Sequence, residues 1–399
     1  MTGKILTINT GSSSLKAALY PDGRSEKREM TATADRIGQD GGRLRIADAD
    51  GEPRLDRKER ITDHGAAVRM LLDWLRDQGL DAGLTAVGHR IVHGGASYRE
   101  PTRITDDVVD ALARLVPIDP EHLPQAIDAI QAIREAYPRI PQVACFDTAF
   151  HARLPRVARV YALPRALADQ GIVRYGFHGL SYEFIVQKLG KIDARAAAGR
   201  LVIAHLGNGA SLAAVRDGVG VDTTMGFTPT GGLVMGTRVG DLDPGVLLYL
   251  LAARGLSPTE LGDLVNRKSG LLGVSETSGD MQDLLEKAPS DPRAAEAIDL
   301  FCYQARKFLG AYAAVLGGLD TLVFTGGIGE HAAPVRQRIC AGLEFLGIRL
   351  DQARNDRHDP IVSRDGNPVT VRVMKTDEDL MIARHTRRII RAGQPPAAP

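Results

Sequence analysis

Two short glycine turns, each leading from an apolar run into an Ala-Ala-aliphatic strand, restrict this chain more than any other feature. The first is Ile5-Leu-Thr-Ile-Asn9-Thr-Gly11-Ser12-Ser-Ser14-Leu-Lys16-Ala-Ala-Leu19, and the second is Leu201-Val-Ile-Ala-His205-Leu206-Gly207-Asn208-Gly209-Ala-Ser-Leu-Ala-Ala-Val215. Either alone is an ordinary hairpin, since Gly and Ser are common turn residues. Such a turn can also offer backbone N–H donors to a phosphate at the mouth of its strands. Its repetition predicts a duplicated fold with a cleft between the halves.

The chain has 399 residues and 44% hydrophobic content, enough for a large core and two or three domains. Fifty Lys+Arg against 49 Asp+Glu leave a net charge of +1. No electrostatic case exists for nucleic acid or an anionic membrane, so anion specificity must come from local clusters. Cys145, Cys302 and Cys340 are widely spaced and form no C-x-x-C. That argues against a disulfide scaffold or zinc ribbon and makes a reducing cytosol the expected location. The longest aliphatic stretch, 246–253, is far shorter than the ~18 residues of a membrane span, and the N-terminus has no signal-like apolar region. A soluble, unprocessed chain is expected.

Hydrophobic periodicity predicts a strand over 43–47, a helix over 66–78 with Val68, Leu71, Leu72 and Leu75 on its apolar face, and a strand over 86–92. A helix capped by Thr105 with Asp106 and Asp107 in its first turn, a helix over 124–136 and a strand over 142–146 follow. Beyond the second hairpin the pattern predicts helices over 244–254, 258–265 and 294–316, a strand over 321–325, another helix, a strand over 369–374 and a closing helix from about 378. Strand clusters followed by αβ units, given twice, predict two similar α/β domains. Residues 391–399 read as an unstructured tail.

A third glycine turn, Leu322-Val-Phe-Thr325-Gly-Gly327-Ile328-Gly329-Glu330, breaks from an apolar strand into a helix, so that main chain can approach a ligand without Cβ interference. It matches G-x-G-x-x-A, yet the acidic residue expected of a dinucleotide fingerprint is represented only by Asp351 in a late loop. No Walker A sequence is present: Gly190-Lys191 continues with Ile192.

Candidate chemistry lies at strand ends and in loops. Arg90 lies in Gly88-His-Arg-Ile-Val-His-Gly-Gly95 and Arg238 in Met235-Gly-Thr-Arg-Val-Gly-Asp241. A guanidinium fork matches a carboxylate or phosphate in bidentate fashion. Asp147 follows a buried-looking strand, where α/β sheets gather ligands, and His178 sits in a glycine-bounded loop from which it could donate to a phosphoryl group. His89 and His93 have the i, i+4 spacing of a zinc helix, but the segment reads as a strand, where four residues span ~13 Å. Magnesium with phosphates needs only one or two carboxylates and stays open.

Nine segments, in order along nearly the whole chain, resemble the signatures of the acetate kinase family. They are Asn9-Thr-Gly-Ser-Ser-Ser-Leu-Lys16, Gly88 to Gly95, Phe146-Asp-Thr-Ala-Phe-His151, Arg174-Tyr-Gly-Phe-His-Gly179, His205 to Gly209, Met225-Gly-Phe-Thr-Pro229, Met235 to Arg238, Thr325 to Glu330, and Thr376-Asp-Glu-Asp-Leu-Met-Ile-Ala-Arg384. The resemblance implies a duplicated ribonuclease-H-like fold, shared with sugar kinases, actin and chaperone ATPases, with ATP and Mg²⁺ in the interdomain cleft. It implies an acyl-substrate domain of 1–149 plus about 379–399 and a nucleotide domain of 150–378, usually in a homodimer.

The same resemblance implies phosphoryl transfer between ATP and a short-chain carboxylate. Arg90 and Arg238 would hold the carboxylate and the phosphoryl group, His178 would donate to the developing charge, Asp147 would orient reactants or metal, and Asn9 with Glu378 would position Mg²⁺. Val92, His122, Phe177 and Pro229 would line the acyl pocket. Ser12, Ser14 and Lys16 would lie near the phosphates, with His205, Leu206, Gly207, Asn208, Gly209, Asp280, Met281, Gln282, Gly327, Ile328, Gly329, Glu330 and His331 holding phosphates and adenosine.

Two places depart from the family pattern. His122-Leu123-Pro124 replaces His-Asn-Pro, with Glu121 before it where an apolar residue is usual, and Gly279-Asp280-Met281-Gln282 replaces Ser-Asp-Phe-Arg. Asp119-Pro120-Glu121 also reads as a helix start with Asp119 as N-cap. One methylene is worth only ~0.8 kcal/mol, so acetate, propionate and butyrate stay open. An actin-like or chaperone-like ATPase switch would share the turns but gives Arg90 and Arg238 no reason to converge. A nicotinamide dehydrogenase would rest on the one imperfect fingerprint.

Overall fold

In the computed structural model of the chain, residues 3–23 and 25–392 are described. The first glycine turn joins β1 (Lys4–Thr10) to β2 (Ser14–Pro21) as an antiparallel hairpin in which Asn9 faces Lys16. With β3 (Met30–Asp35), β4 (Arg43–Asp48), β5 (Pro53–Lys58), β6 (Leu84–Ile91), β7 (Thr102–Arg103) and β8 (Gln142–Phe146) it forms one sheet of order β5-β4-β3-β2-β1-β6-β8-β7. β1, β6 and β8 run parallel, so their C-terminal ends open on one edge, the position at which open α/β sheets hold ligands. β8 is buried at every residue and apolar but for Gln142, as a central strand covered on both faces must be. β5 reads Pro-Arg-Leu-Asp-Arg-Lys and is largely exposed, a charged edge that discourages further pairing.

The second turn joins β9 (Arg200–Leu206) to β10 (Ala210–Arg216), and β11 (Val219–Thr223), β12 (Thr321–Thr325) and β13 (Thr370–Val373) complete a sheet of order β11-β10-β9-β12-β13. Two antiparallel pairings followed by two parallel ones reproduce the order and sense of β3-β2-β1-β6-β8. The duplication seen in the turns therefore extends through five strands of each sheet.

The chain divides into two compact units, one running to Ala149 and resuming at Asp377, the other spanning Phe150–Thr376. The return begins two residues before the expected 379, which places Asp377 and Glu378 in the first unit. There, helix His64–Asp77 starts on the Asp63 carboxylate, which accepts from Ala66 N, and buries Val68, Leu71, Leu72 and Leu75 in a core with Ile8, Leu15, Leu19 and Ile133. Helix Glu378–Ala392 packs onto the parallel strands over Gly88. A Cβ at Gly88 would sit 2.1 Å from Thr386 Oγ1 and 2.6 Å from Ile382 Cγ2. In the second unit the helix Pro292–Leu316 is capped by Asp291, buries Ala297, Phe301, Ala305 and Leu309, and stops at Gly317, whose φ of 69° suits glycine.

Two sequence readings are corrected. Asp119 does not cap a helix: the helix is Leu123–Ala136, with His122 at the N-cap position and Pro124 in its first turn. The Asp119 carboxylate is buried and turned to the His122 ring instead, with Oδ1 2.8 Å from Nδ1. Residues 391 and 392 are not unstructured, because the last helix runs through Ala392 and Arg391 donates to Asp22 O at 2.9 Å; 393–399 lie outside the described residues.

Candidate active site

In the first unit the parallel topology gathers four of the expected residues. Arg90 lies near the C-terminal end of β6, Asn9 near that of β1, Asp147 directly beyond β8, and Glu378 opens the returning helix. Arg90 donates from Nε and Nη2 to Asp147, with Nη2 to Oδ2 at 2.6 Å, and from Nη1 to Asn9 Oδ1 at 3.0 Å. Asn9 Nδ2 donates to Glu378 Oε2 at 3.3 Å, and the same oxygen lies 3.8 Å from Arg90 Nε. Burial works against the Arg90 charge, but Asp147 and Glu378 outweigh it and raise its pKa. A permanently charged guanidinium is thus held in fixed orientation by two carboxylates and an amide.

The other expected residues of this unit stand apart from that hydrogen-bonded cluster. Ser12, Ser14 and Lys16 occupy the first turn and the start of β2, with the Lys16 side chain in solvent. Val92 is buried just past β6, and His122 is paired with Asp119. His89 and His93 lack a shared ligand geometry: His89 Nε2 meets Gln142 Oε1 at 2.7 Å, while His93 Nδ1 accepts from Gly95 N at 2.9 Å.

In the second unit His178 occupies the N-cap position of helix Gly179–Ile192 in the left-handed region, at φ 58° and ψ 24°. That conformation costs a non-glycine residue about 1–3 kcal/mol and is held only by its surroundings. Its Nδ1 is 2.9 Å from Ser211 Oγ, and its ring stacks on that of His205 with centroids 4.3 Å apart. Arg238 donates from Nη1 to Pro229 O at 3.2 Å. A Cβ built on Gly209 would lie 3.3 Å from His178 Nε2 and 3.7 Å from Arg238 Nη1. The two donors therefore converge on the space above one glycine, which can receive an oxyanion only because no side chain stands there. Phe177 is buried beside His178, and Pro229 beside Arg238. Arg174, first residue of the His178 segment, donates from Nη1 to the carbonyls of Thr223, Thr224 and Met225 and so fixes the loop that leads to Pro229.

A cavity of about 460 Å³ in the same unit is lined by Gly207, Asn208, Asp280, Met281, Gln282, Gly327, Ile328 and His331, together with Gly279, Leu285, Ala332 and Pro334. Its volume lies in the range of small-molecule sites, and three glycines let a ligand approach main chain. Leu206, Gly329 and Glu330, also expected to hold the nucleotide, are not in its lining. Leu206 is fully buried, and Gly329 packs against Phe324 and Ala204. The Glu330 carboxylate accepts from Gly326 N and Thr376 N, and Asp280 caps the helix Met281–Lys287. Gln282 reaches Glu286 at 3.3 Å.

Sequence reasoning missed the supports of these groups. Ser211 and Tyr182 back His178, and a lone hydroxyl in the apolar strand β10 was the available signal. Arg336 is completely buried and donates to Gly329 O, Glu330 O, Asn355 and His358 Nδ1, bracing the third glycine turn from beneath. Burial pulls its pKa down to about 10. Nothing local in the sequence marks it.

Two α/β units of matching strand order, one carrying an anchored arginine and the other a glycine-lined cavity, define a phosphotransferase-like protein of the duplicated ribonuclease-H-like fold found in actin-type ATPases. A family model described as the Acetokinase family matches residues 4–384. An acetate kinase of Rhodopseudomonas palustris is 46% identical over 400 residues, covering 99% of this chain and all of that protein. Solved structures of a propionate kinase from Francisella tularensis subsp. tularensis and of the Porphyromonas gingivalis acetate kinase share 34% and 36% identity at TM-scores of 0.91 and 0.87. In both cases 97% of this chain and 100% of the other are covered. The chain belongs to the acetokinase family.

Proposed function

We propose that the chain catalyses reversible phosphoryl transfer between ATP and acetate, giving acetyl phosphate and ADP. The observation that carries this reading is the convergence of His178 Nε2 and Arg238 Nη1 over Gly209, in the unit that also holds the cavity beside Gly207 and Gly327. A carboxylate is already an anionic nucleophile at neutral pH, so the reaction requires positioning and charge neutralisation rather than a strong base. The second unit, 150–376, would bind the nucleotide, and Arg238 and His178 would donate to the transferring group. The first unit would bind the acyl substrate. Arg90 spends one N–H of each terminal nitrogen on Asp147 and Asn9, leaving a second on each for a carboxylate.

Mg²⁺ fits the first unit. Glu378 supplies one partly exposed carboxylate, and Asn9 holds it in place while giving its own oxygen to Arg90, which matches an ion that takes one or two protein carboxylates and its remaining oxygens from phosphates and water. When bound, the ion neutralises phosphate charge. Buried Val92 suits a short acyl chain in the first unit, with propionate or butyrate the alternatives to acetate. A homodimer is supported by helix Pro244–Ala252, none of whose residues is buried and which exposes Val246, Leu248 and Tyr249.

The test is to incubate purified protein with ATP, Mg²⁺ and acetate, propionate or butyrate, and to trap acyl phosphate with hydroxylamine. Hydroxamate from acetate in preference to the longer acids is expected. Hydrolysis of ATP with no hydroxamate from any acid overturns the reading in favour of an ATPase switch.

A further inference from the structure

We infer that Tyr182 and Ser211 are positioning residues that hold His178 as the neutral tautomer with its proton on Nε2, so that it meets the phosphoryl group as a hydrogen-bond donor. The inference rests on the catalytic role proposed for His178.

Tyr182 stands one helical turn beyond His178, and its N–H donates to the His178 carbonyl at 3.1 Å. Its hydroxyl lies 2.5 Å from Ser211 Oγ, which in turn lies 2.9 Å from His178 Nδ1. Tyr182 and Ser211 are both fully buried, so each must find its partners inside the protein. Ser211 has a single proton. With Tyr182 donating to Ser211 and Ser211 donating to Nδ1, every hydroxyl in the chain is used once and the imidazole proton falls on Nε2. Nε2 is the atom that faces Gly209 alongside Arg238.

The neighbouring imidazole supports this arrangement. His205 stacks on His178 at 4.3 Å, and its Nδ1 lies 2.8 Å from Ser181 Oγ, which donates to Thr376 Oγ1 at 2.9 Å. Having given up its proton, Ser181 accepts from His205 Nδ1–H, which lets His205 also remain neutral. Two stacked imidazoles beside a guanidinium avoid mutual repulsion when both are uncharged. The left-handed backbone of His178 has a function in this scheme, since it aims Nδ1 into the strand and Nε2 outward.

The test is two-bond ¹H–¹⁵N correlation on the full-length chain labelled with ¹⁵N-histidine, with the His178 signal assigned by its loss in His178→Gln. An unprotonated Nδ1 and a protonated Nε2 at neutral pH are expected. Ser211→Ala should admit the other tautomer and lower kcat about tenfold, with KM for both substrates within twofold; Ser211→Thr, which keeps the hydroxyl, should restore both readouts. Tyr182→Phe should lower kcat about threefold. A proton on Nδ1 in the wild-type protein overturns the inference, and so does an unchanged tautomer in folded Ser211→Ala. If His178→Gln retains full turnover, the catalytic role of His178 fails instead, and the tautomer measurement stands apart from that result.

Discussion

Gly209→Ala puts the proposed phosphoryl site to its most direct trial, because the added atom lands where the two donors meet. An oxygen bonded to both donors must sit ~2.7–3.1 Å from each. The new Cβ would be 3.3 Å from His178 Nε2 and 3.7 Å from Arg238 Nη1, filling that volume while overlapping the ring by only a few tenths of an ångström. Loss of one preorganised donor costs ~3 kcal/mol, a factor of about 10². Loss of both, discounted because they share one oxygen, gives a fall in kcat of between about 10² and 10⁴. Gly209 does not use a left-handed backbone, so the variant should fold with a melting temperature within about 3 °C of the parent. Hydroxamate formation at saturating ATP and acetate measures kcat, and calorimetry measures stability. A folded variant retaining more than a tenth of the parental kcat would falsify the geometric argument.

Arg90→Ala and Arg238→Ala are each expected to reduce turnover at least a hundredfold in the same assay, about 3 kcal/mol per lost donor; an unaltered rate removes that arginine from the mechanism. Gly88→Ala should destabilise the first unit by about 3 kcal/mol through collision with Thr386 and Ile382, read as a lower urea midpoint, and an unmoved midpoint contradicts the packing described. Burial lowers the pKa of His89 and His151 from 6.5 to about 4. Their native forms bind protons less readily than the unfolded chain, so the stability they contribute is full above pH ~6.5 and is lost as pH falls toward about 4. Melting temperatures measured across that window should decline with acidity, and a flat profile would contradict the burial of two neutral imidazoles.

Much of the frame was legible because it obeys local rules. The strands over 142–146 and 321–325 fall where the apolar runs place them, and the Val68-Leu71-Leu72-Leu75 face lies in the core. The two turns foretold more than hairpins, since the strands beside them repeat in order and sense. What stayed hidden depends on how side chains meet once the chain has folded. Asp119 resembles a helix cap in isolation, but the His122 imidazole, three residues on, engages its Oδ1. Arg336 sits in an unremarkable helix, and its carbonyl partners at Gly329 and Glu330 are defined only after the third turn has folded. Ser211 looks like one small strand residue until Tyr182 and His178 close on it from another element. Motif reading picked out residues that the fold brings together, Arg90, Asn9, Asp147 and Glu378, whereas Arg336 carries no local pattern.

The return of the chain to its first unit also orders the assembly of the protein in time. β1, β6 and β8, with Arg90 and Asp147, leave the ribosome early, whereas Glu378 and the helix that covers Gly88 come after the whole of the second unit. At ~5–20 residues per second that interval is on the order of ten to forty seconds, during which the sheet presents Gly88 and its apolar neighbours uncovered. The continuous second unit can close as it emerges, but the first can be completed only after synthesis has passed Ala392. A nascent chain stopped anywhere within the helix Glu378–Ala392 would hold both sheets and lack the final charge of the Arg90 cluster or the full cover over β6. Loss of the C-terminal segment is therefore a lesion of the first unit, at the opposite end of the gene.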